Sequence, residues 1–284
     1  MKERNFIQKC YSRLRACWLP YFYKYKKCRI GVNTTEVRKK KIIISLTSFP
    51  ARFPNLYICI KSLLNQTLKH DHIILYLGKD STDVKLPSSL LKLQKYGLQI
   101  VRGVDDIKPH KKYFYAMKAF PDDIIITVDD DCVYDDNLVK DLYFAHLKFP
   151  NTVVARNVRV IPAEMSTYDK WKYKSDLVMS TSFCYLAVGL GGVLYPPHIL
   201  SAECFNLNNI KALCLTADDI WLKYHELLNS VTVTYCPSIY YMPVILKEST
   251  KVSLFHKNLG GNKNDIFIRE VGKYYNINIF GYGD

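Results

Sequence analysis

No stretch of this 284-residue sequence approaches the run of ~20 apolar residues that a membrane-spanning helix requires. Pro20 and the cluster Lys24, Lys26, Lys27 break the most apolar stretch near the N-terminus. Met1–Pro20 has no uninterrupted apolar core, which argues against a cleavable signal peptide. No two of the nine cysteines stand in CxxC spacing, so a zinc cluster is not indicated. Their number is odd, and several sit in apolar runs where a reduced thiol behaves as a small hydrophobe; a reducing cytosol fits best. Internal repeats and low-complexity tracts are absent. Acidic residues are scarce at one end only. Residues 1–41 hold 13 basic residues against Glu3 and Glu36, a net of +11 out of the chain's +14. The body is therefore almost charge-balanced, and with no nucleic-acid motif the basicity does not indicate a nucleic-acid protein.

What is present is a globular core, with 49% hydrophobic residues. The basic arm, residues 1–40, interleaves cations with Phe6, Tyr11, Trp18, Tyr21, Phe22, Tyr23 and Tyr25. It reads either as a solvated tail or as a peripheral contact with an anionic membrane surface, on the inner face of the cytoplasmic membrane. From residue 41 the pattern alternates. Lys41–Thr47 is a β-branched run suited to a buried parallel strand, followed by helical spacing over Asn55–Gln66 and a second strand over His72–Leu77. A helix from Pro87 to Tyr96 closed by Gly97, a strand Leu98–Val101, a helix Lys111–Phe120, a strand Asp123–Val128 and a helix Asn137–Phe149 follow. This spacing predicts an α/β fold, a single Rossmann-like domain with a mostly parallel central sheet. Beyond residue 151 the pattern loosens into short strands, a helix over Ala217–Leu228 and a strand over Val231–Tyr235. An ordered half, 41–150, precedes an irregular half, 151–284.

Asp129, Asp130 and Asp131 come directly after an apolar strand. Three adjacent carboxylates repel one another unless a positive group sits among them. The carboxyl ends of strands in an open α/β sheet are where ligands bind. Mn²⁺ or Mg²⁺ on Asp129 and Asp131, bridging diphosphate oxygens, resolves the repulsion, with Asp130 in support. The competing reading is a solvated acidic loop; Asp135 and Asp136 are better explained as caps of the next helix. A second acidic pair, Asp218-Asp219, opens a predicted helix, where Thr216 or Asp218 can act as N-cap.

The Asp129–Asp131 segment resembles the Asp-x-Asp motif of glycosyltransferases with the A-type fold, and the chain from about Lys41 resembles family-2-like bacterial enzymes. The resemblance implies a nucleotide-sugar donor, foremost a UDP-sugar, and a glycan acceptor. Ser45–Arg52 resembles the opening segment where donor contacts begin, which marks Thr47, Ser48 and Arg52. Pro109-His110-Lys111-Lys112 resembles a segment whose lysines meet donor phosphates. Many relatives carry an acidic residue after the second strand to read the base; here that strand ends Tyr76-Leu77-Gly78, and Asp105 or Asp106 is the substitute. By the same resemblance Asp219 is the base that deprotonates the acceptor, with Asp218 second choice. A sugar hydroxyl needs such a base to attack an anomeric carbon at neutral pH. Gly189–Pro197 resembles a segment touching donor sugar or acceptor, and is equally well a turn before a strand. His256 is a candidate third metal ligand, and Lys257 a candidate diphosphate contact.

The expectation is an inverting, metal-dependent hexosyltransferase, placed by resemblance in surface-polysaccharide assembly (capsule or lipopolysaccharide). Its rivals are a retaining transferase, a metal-dependent nucleotidyltransferase or phosphohydrolase, and a non-catalytic glycan-binding module.

Overall fold

The computed structural model describes residues 6–28, 30–240, 242–246 and 262–282. Helix α1 (Phe6–Tyr25) comes first, then β1 (Ile42–Ser48), α2 (Phe53–Leu64), β2 (His72–Gly78), α3 (Ser88–Leu91), β3 (Leu98–Val104), α4 (Lys111–Ala119) and β4 (Ile124–Thr127). The second half holds β5 (Cys132–Val133), α5 (Leu138–Lys148), β6 (Val153–Ala155), β7 (Val158–Val160), β8 (Lys172–Tyr173), β9 (Ser180–Ser182), β10 (Tyr185–Ala187) and β11 (Val193–Tyr195). Helices α6 (Leu207–Leu213) and α7 (Asp218–Leu228), strands β12 (Val233–Tyr235) and β13 (Val244–Ile245), and helix α8 (Lys263–Tyr275) complete it.

One eight-stranded sheet, in the order β3-β2-β1-β4-β11-β6-β12-β9, forms the spine. Its first four strands are parallel, and β1, β2 and β4 carry the largely apolar, buried runs of strands covered on both faces. Side chains of β1 alternate between two cores: Ile42, Ile44 and Leu46 meet α2 and α5, while Ile43 packs beside Ala116 of α4. The chain runs outward from β1 through β2 to β3, then crosses back to place β4 on the other side of β1. That reversal is a topological switch point, where the strand ends part and leave a crevice. Strand β11 then enters antiparallel between β4 and β6. The expected Rossmann-like α/β fold is present.

Two segments differ from the sequence reading. The helix expected over 87–96 is α-helical only in α3; Lys92–Tyr96 winds as a 3₁₀ helix before Gly97, at φ 116°. The tighter winding stacks residues three apart, and Leu90 and Leu93 are both buried. The arm is not wholly a solvated tail. Leu19 and Tyr23 of α1 are buried against Ile58, Val133, Val244 and Leu246. The cation-rich composition concealed this, because only one face of the helix docks.

His70, between α2 and β2, is fully buried, and neither ring nitrogen has a hydrogen-bond partner. Burial, reinforced by the nearby Lys69 charge, lowers its pKa to about 3. The folded value lies below the unfolded value near 6.5, so the unfolded chain binds the extra proton. Stability from this group is complete above pH ~6.5 and is lost as pH falls toward ~3, at about 1.4 kcal/mol per pH unit. His70→Leu should flatten the acid limb by one proton, read as a smaller drop in urea-unfolding free energy between pH 7 and 5.

Candidate active site

A cavity of about 790 Å³ opens at the switch point. Thr47 and Ser48 from the end of β1, Asp129–Asp131 beyond β4, Lys111 and Lys112 from α4, and Asp218 and Asp219 from α7 all line it. Strand β4 delivers the carboxylates because its four residues are all buried and the chain leaves the sheet immediately after. Ser45 Oγ donates to the carbonyl of Lys112, tying the first turn of α4 to β1. His110 anchors the same turn. Its Nε2 lies 2.8 Å from the Cys214 carbonyl and its Nδ1 lies 3.0 Å from the Tyr113 hydroxyl. Burial lowers its pKa to about 4, so the ring is neutral at pH 7. The first turn of α4 carries no acid and presents its positive dipole end and two lysines near the cavity, a setting that favours anions.

The protein supplies its own cations to the acidic trio. Arg52, just before α2, pairs with Asp130, and its Nη2 lies 2.9 Å from Asp131 Oδ2. Ser48 Oγ donates to the same Asp130 carboxylate, which is buried. Asp130 is thus held in the wall, and Asp129 and Asp131 remain at the cavity surface. Burial, then the charges of Asp129 and Asp130, raise the Asp131 pKa to about 6. Across the cavity Lys112 Nζ donates to Asp129 Oδ1 at 2.7 Å and stands 3.0 Å from Asp218 Oδ2, an ionic contact. Burial pulls the Lys112 pKa down, but the carboxylates of Asp129, Asp218 and Asp219 outweigh it and hold it well above the ordinary lysine value.

Asp219 accepts a hydrogen bond from the Gly189 N–H at 3.1 Å. Burial, then the charge of Asp218, push its pKa well above the usual carboxylate range. The N-cap of α7 is Ala217, which makes no side-chain cap bond, and the Asp218 carboxylate faces Lys112 across the cavity. Gly189 is a close-approach glycine. A Cβ there would stand 2.7 Å from Lys112 Nζ, 3.2 Å from Asp219 Oδ1 and 3.3 Å from Asp129 Oδ1. Nearby, Gly192 at φ 88° turns the chain into β11.

Of the other residues singled out from sequence, Asp105 is half-exposed, pairs with Lys79 at 2.6 Å and does not line the cavity. Its neighbour Asp106 does, held by Lys108 and Lys111. Asp80 joins it there, because a Cβ on Gly78 would lie 2.6 Å from Asp80 Oδ1 and 3.2 Å from Asp106 Cβ. Tyr173 is in the wall, whereas Trp171 and Trp221 are core. His256 and Lys257 lie outside the described residues. Asp80, Tyr168 and Asn264 line the cavity without having been singled out. An acid two residues beyond a parallel strand was the available signal for Asp80; Tyr168 and Asn264 carried none.

Residues 46–185 match the family model described as glycosyl transferase family 2. Over that span, just under half of the chain, the sequence is similar to family 2 glycosyltransferases. The matched span includes the switch point, the acidic trio and Lys111 and Lys112 of α4, and ends before α7. No curated protein sequence matches the chain. Among solved structures, S. aureus TarS 1-349 is similar at 15% identity and TM-score 0.46, covering 69% of this chain and 60% of that one. The mannosyltransferase PcManGT from Pyrobaculum calidifontis, in complex with GDP-Man and Mn²⁺, is similar at 10% identity and TM-score 0.46, covering 82% and 64%. The chain thus spans less than two thirds of the length of either.

Glycosyltransferases of the A-type fold commonly use a divalent metal. Among the described residues no group of three or more His, Cys, Asp or Glu side chains is arranged to hold one. Asp129 and Asp131 nevertheless fit a hard cation. They are oxygen donors, they crowd each other, and they border a cavity large enough for phosphates and water to complete the ligand shell.

Proposed function

We propose that this glycosyltransferase is metal-dependent and inverting, moving a sugar from a nucleoside-diphosphate donor to a hydroxyl of a saccharide or lipid-linked glycan. The observation that carries this reading is the shared space beside Gly189. Asp219 accepts from the Gly189 N–H at 3.1 Å, Asp129 Oδ1 is bound by Lys112 Nζ at 2.7 Å, and both carboxylates line the one cavity, which supports a donor-side carboxylate and a base acting in the same space.

The geometry supports the following roles. Bound Mn²⁺ or Mg²⁺ would neutralise charge on the departing diphosphate as a Lewis acid, held by Asp129 and Asp131. Lys111, Lys112 and the N-terminus of α4 attract phosphate oxygens from the protein side. As the acceptor oxygen bonds to the anomeric carbon and the bond to the diphosphate oxygen breaks, the hydroxyl proton passes to the Asp219 carboxylate. A raised pKa makes Asp219 the stronger base, while Gly189 N–H and the Lys112 charge keep its ionised form accessible. Asp80 and Asp106, beyond β2 and β3, line the cavity and are the acids proposed to accept from a nucleobase; a UDP-sugar is the first donor to test. Surface-polysaccharide synthesis is the setting that family resemblance suggests.

A thermal-shift screen of nucleoside diphosphates with and without Mn²⁺ tests the donor side. A ligand at 100-fold its Kd stabilises the native state by about 2.7 kcal/mol. The expected result is a rise in Tm with nucleotide and Mn²⁺ together that EDTA abolishes. An equal rise in EDTA counts against metal dependence, and release of pyrophosphate or phosphate during turnover would assign a different reaction.

A further inference from the structure

Helix α1 carries an apolar stripe that no other described residue covers. Leu14, Trp18, Tyr21, Phe22 and Tyr25 are each between 44% and 74% exposed. At about 100° per residue their spacing confines all five to one arc of roughly 100°. The helix is nevertheless held on the body. Leu19 and Tyr23 are buried on its other side, and the Arg15 guanidinium lies 4.0 Å over the Tyr240 ring. Lys61 Nζ, from α2, binds the carbonyls of Lys24 and Lys26 at 3.0 and 2.9 Å. The outward direction of the aromatic face is therefore set by docking.

Cations border that face. Lys24 and Lys27 are exposed, and Lys26 Nζ stands 5.0 Å over the Phe22 ring. Ile30, just beyond the helix, is exposed as well. The segment 1–41 concentrates +11 of the chain's +14. A second copy could cover the stripe, but it would bring the same positive charge against its own. An anionic bilayer surface meets both demands. Rings with polar edges settle at headgroup depth, and each nearby Lys or Arg adds about 1 kcal/mol. No helix among the described residues is long and apolar enough to cross a membrane, so α1 would lie in the interface plane.

We infer that the Leu14–Tyr25 face of α1 is a docking surface for anionic lipid bilayers. Helix α1 also packs on β13, and Ile245 of β13 lines the active-site cavity. Docking therefore sets one rim of the cavity beside the lipid surface, which suits an acceptor anchored in that surface. This acceptor assignment rests on the proposed transfer reaction; the docking itself does not.

The full-length protein supplies its own probe. Of the three tryptophans only Trp18 is exposed, since Trp171 and Trp221 are buried. Vesicles of phosphatidylglycerol and phosphatidylcholine should co-sediment the protein, with binding at least tenfold weaker on phosphatidylcholine alone or in 0.5 M salt. Acyl-chain-brominated lipid should quench Trp18 emission, and Trp18→Phe should remove the quenched signal. The triple variant Trp18→Ser/Tyr21→Ser/Phe22→Ser should bind at least tenfold more weakly while keeping wild-type transfer to a water-soluble acceptor. Absence of vesicle binding overturns the inference, as does binding that the triple variant retains or that leaves Trp18 unquenched. A concentration-dependent dimer abolished by the triple variant, without vesicle binding, would assign the face to a second copy. Each of these negative results leaves the transfer reaction standing.

Discussion

Asp219→Asn should lower kcat by about 10²- to 10⁴-fold, the usual contribution of a positioned base, with little change in the unfolding midpoint. Asparagine nearly matches the shape of aspartate and keeps an oxygen for the Gly189 N–H, which donates to Asp219 at 3.1 Å. It cannot take a proton. The substitution also removes a charge that burial and the neighbouring Asp218 disfavour, so the fold should be no weaker. Donor affinity should persist, because the proposed phosphate and metal contacts lie on β4 and α4. The loss should therefore appear in kcat, with the KM for donor within about threefold. Asp218→Asn provides the contrast, since that carboxylate faces Lys112 and its loss should cost less. Near-normal turnover by Asp219→Asn removes the base assignment, and a product that keeps the donor's anomeric configuration by NMR removes the inverting reading as a whole.

Lys112→Met should produce the largest loss of stability, about 3–5 kcal/mol by urea unfolding, the usual effect of removing one partner from a buried ion pair. The Lys112 ammonium is buried between Asp129 at 2.7 Å and Asp218 at 3.0 Å. Methionine preserves the stem and deletes the charge, leaving two inward-facing carboxylates with like charges close by. Adding Asp218→Asn to Lys112→Met should restore part of the loss, because the residues are coupled; a coupling energy of about 0.5–3 kcal/mol is expected. Manganese should restore another part if Asp129 and Asp131 hold it. A Lys112→Met protein as stable as wild type would show that this lysine is not the counter-charge of the site.

The elements most legible in the sequence are those set by local pattern. Ile42–Ile44 and Ile124–Ile126 are unbroken apolar runs, which suit strands covered on both faces, and they pair in parallel beside each other. The acids after the fourth strand stood out because like charges so close demand an explanation. Strand β11 was harder to place. Its three apolar residues gain meaning only by hydrogen-bonding antiparallel to β4 and β6, far away in the chain. The 3₁₀ winding of Lys92–Tyr96 and the one-sided docking of α1 likewise depend on partners that no local window contains.

The sequence by itself determined the α/β class, the position of the acidic trio at a strand end and the concentration of positive charge in the first 41 residues, all consequences of short-range pattern. Only the tertiary structure decided what neutralises the trio. Arg52 comes from the start of α2 and Lys112 from α4, and the same lysine reaches Asp218 at the head of α7. It also decided that Asp106 and not Asp105 lines the cavity. Charge pairing acts through space over a few ångströms, and residues 52, 112, 129 and 218 become neighbours only when the sheet reverses direction at β1.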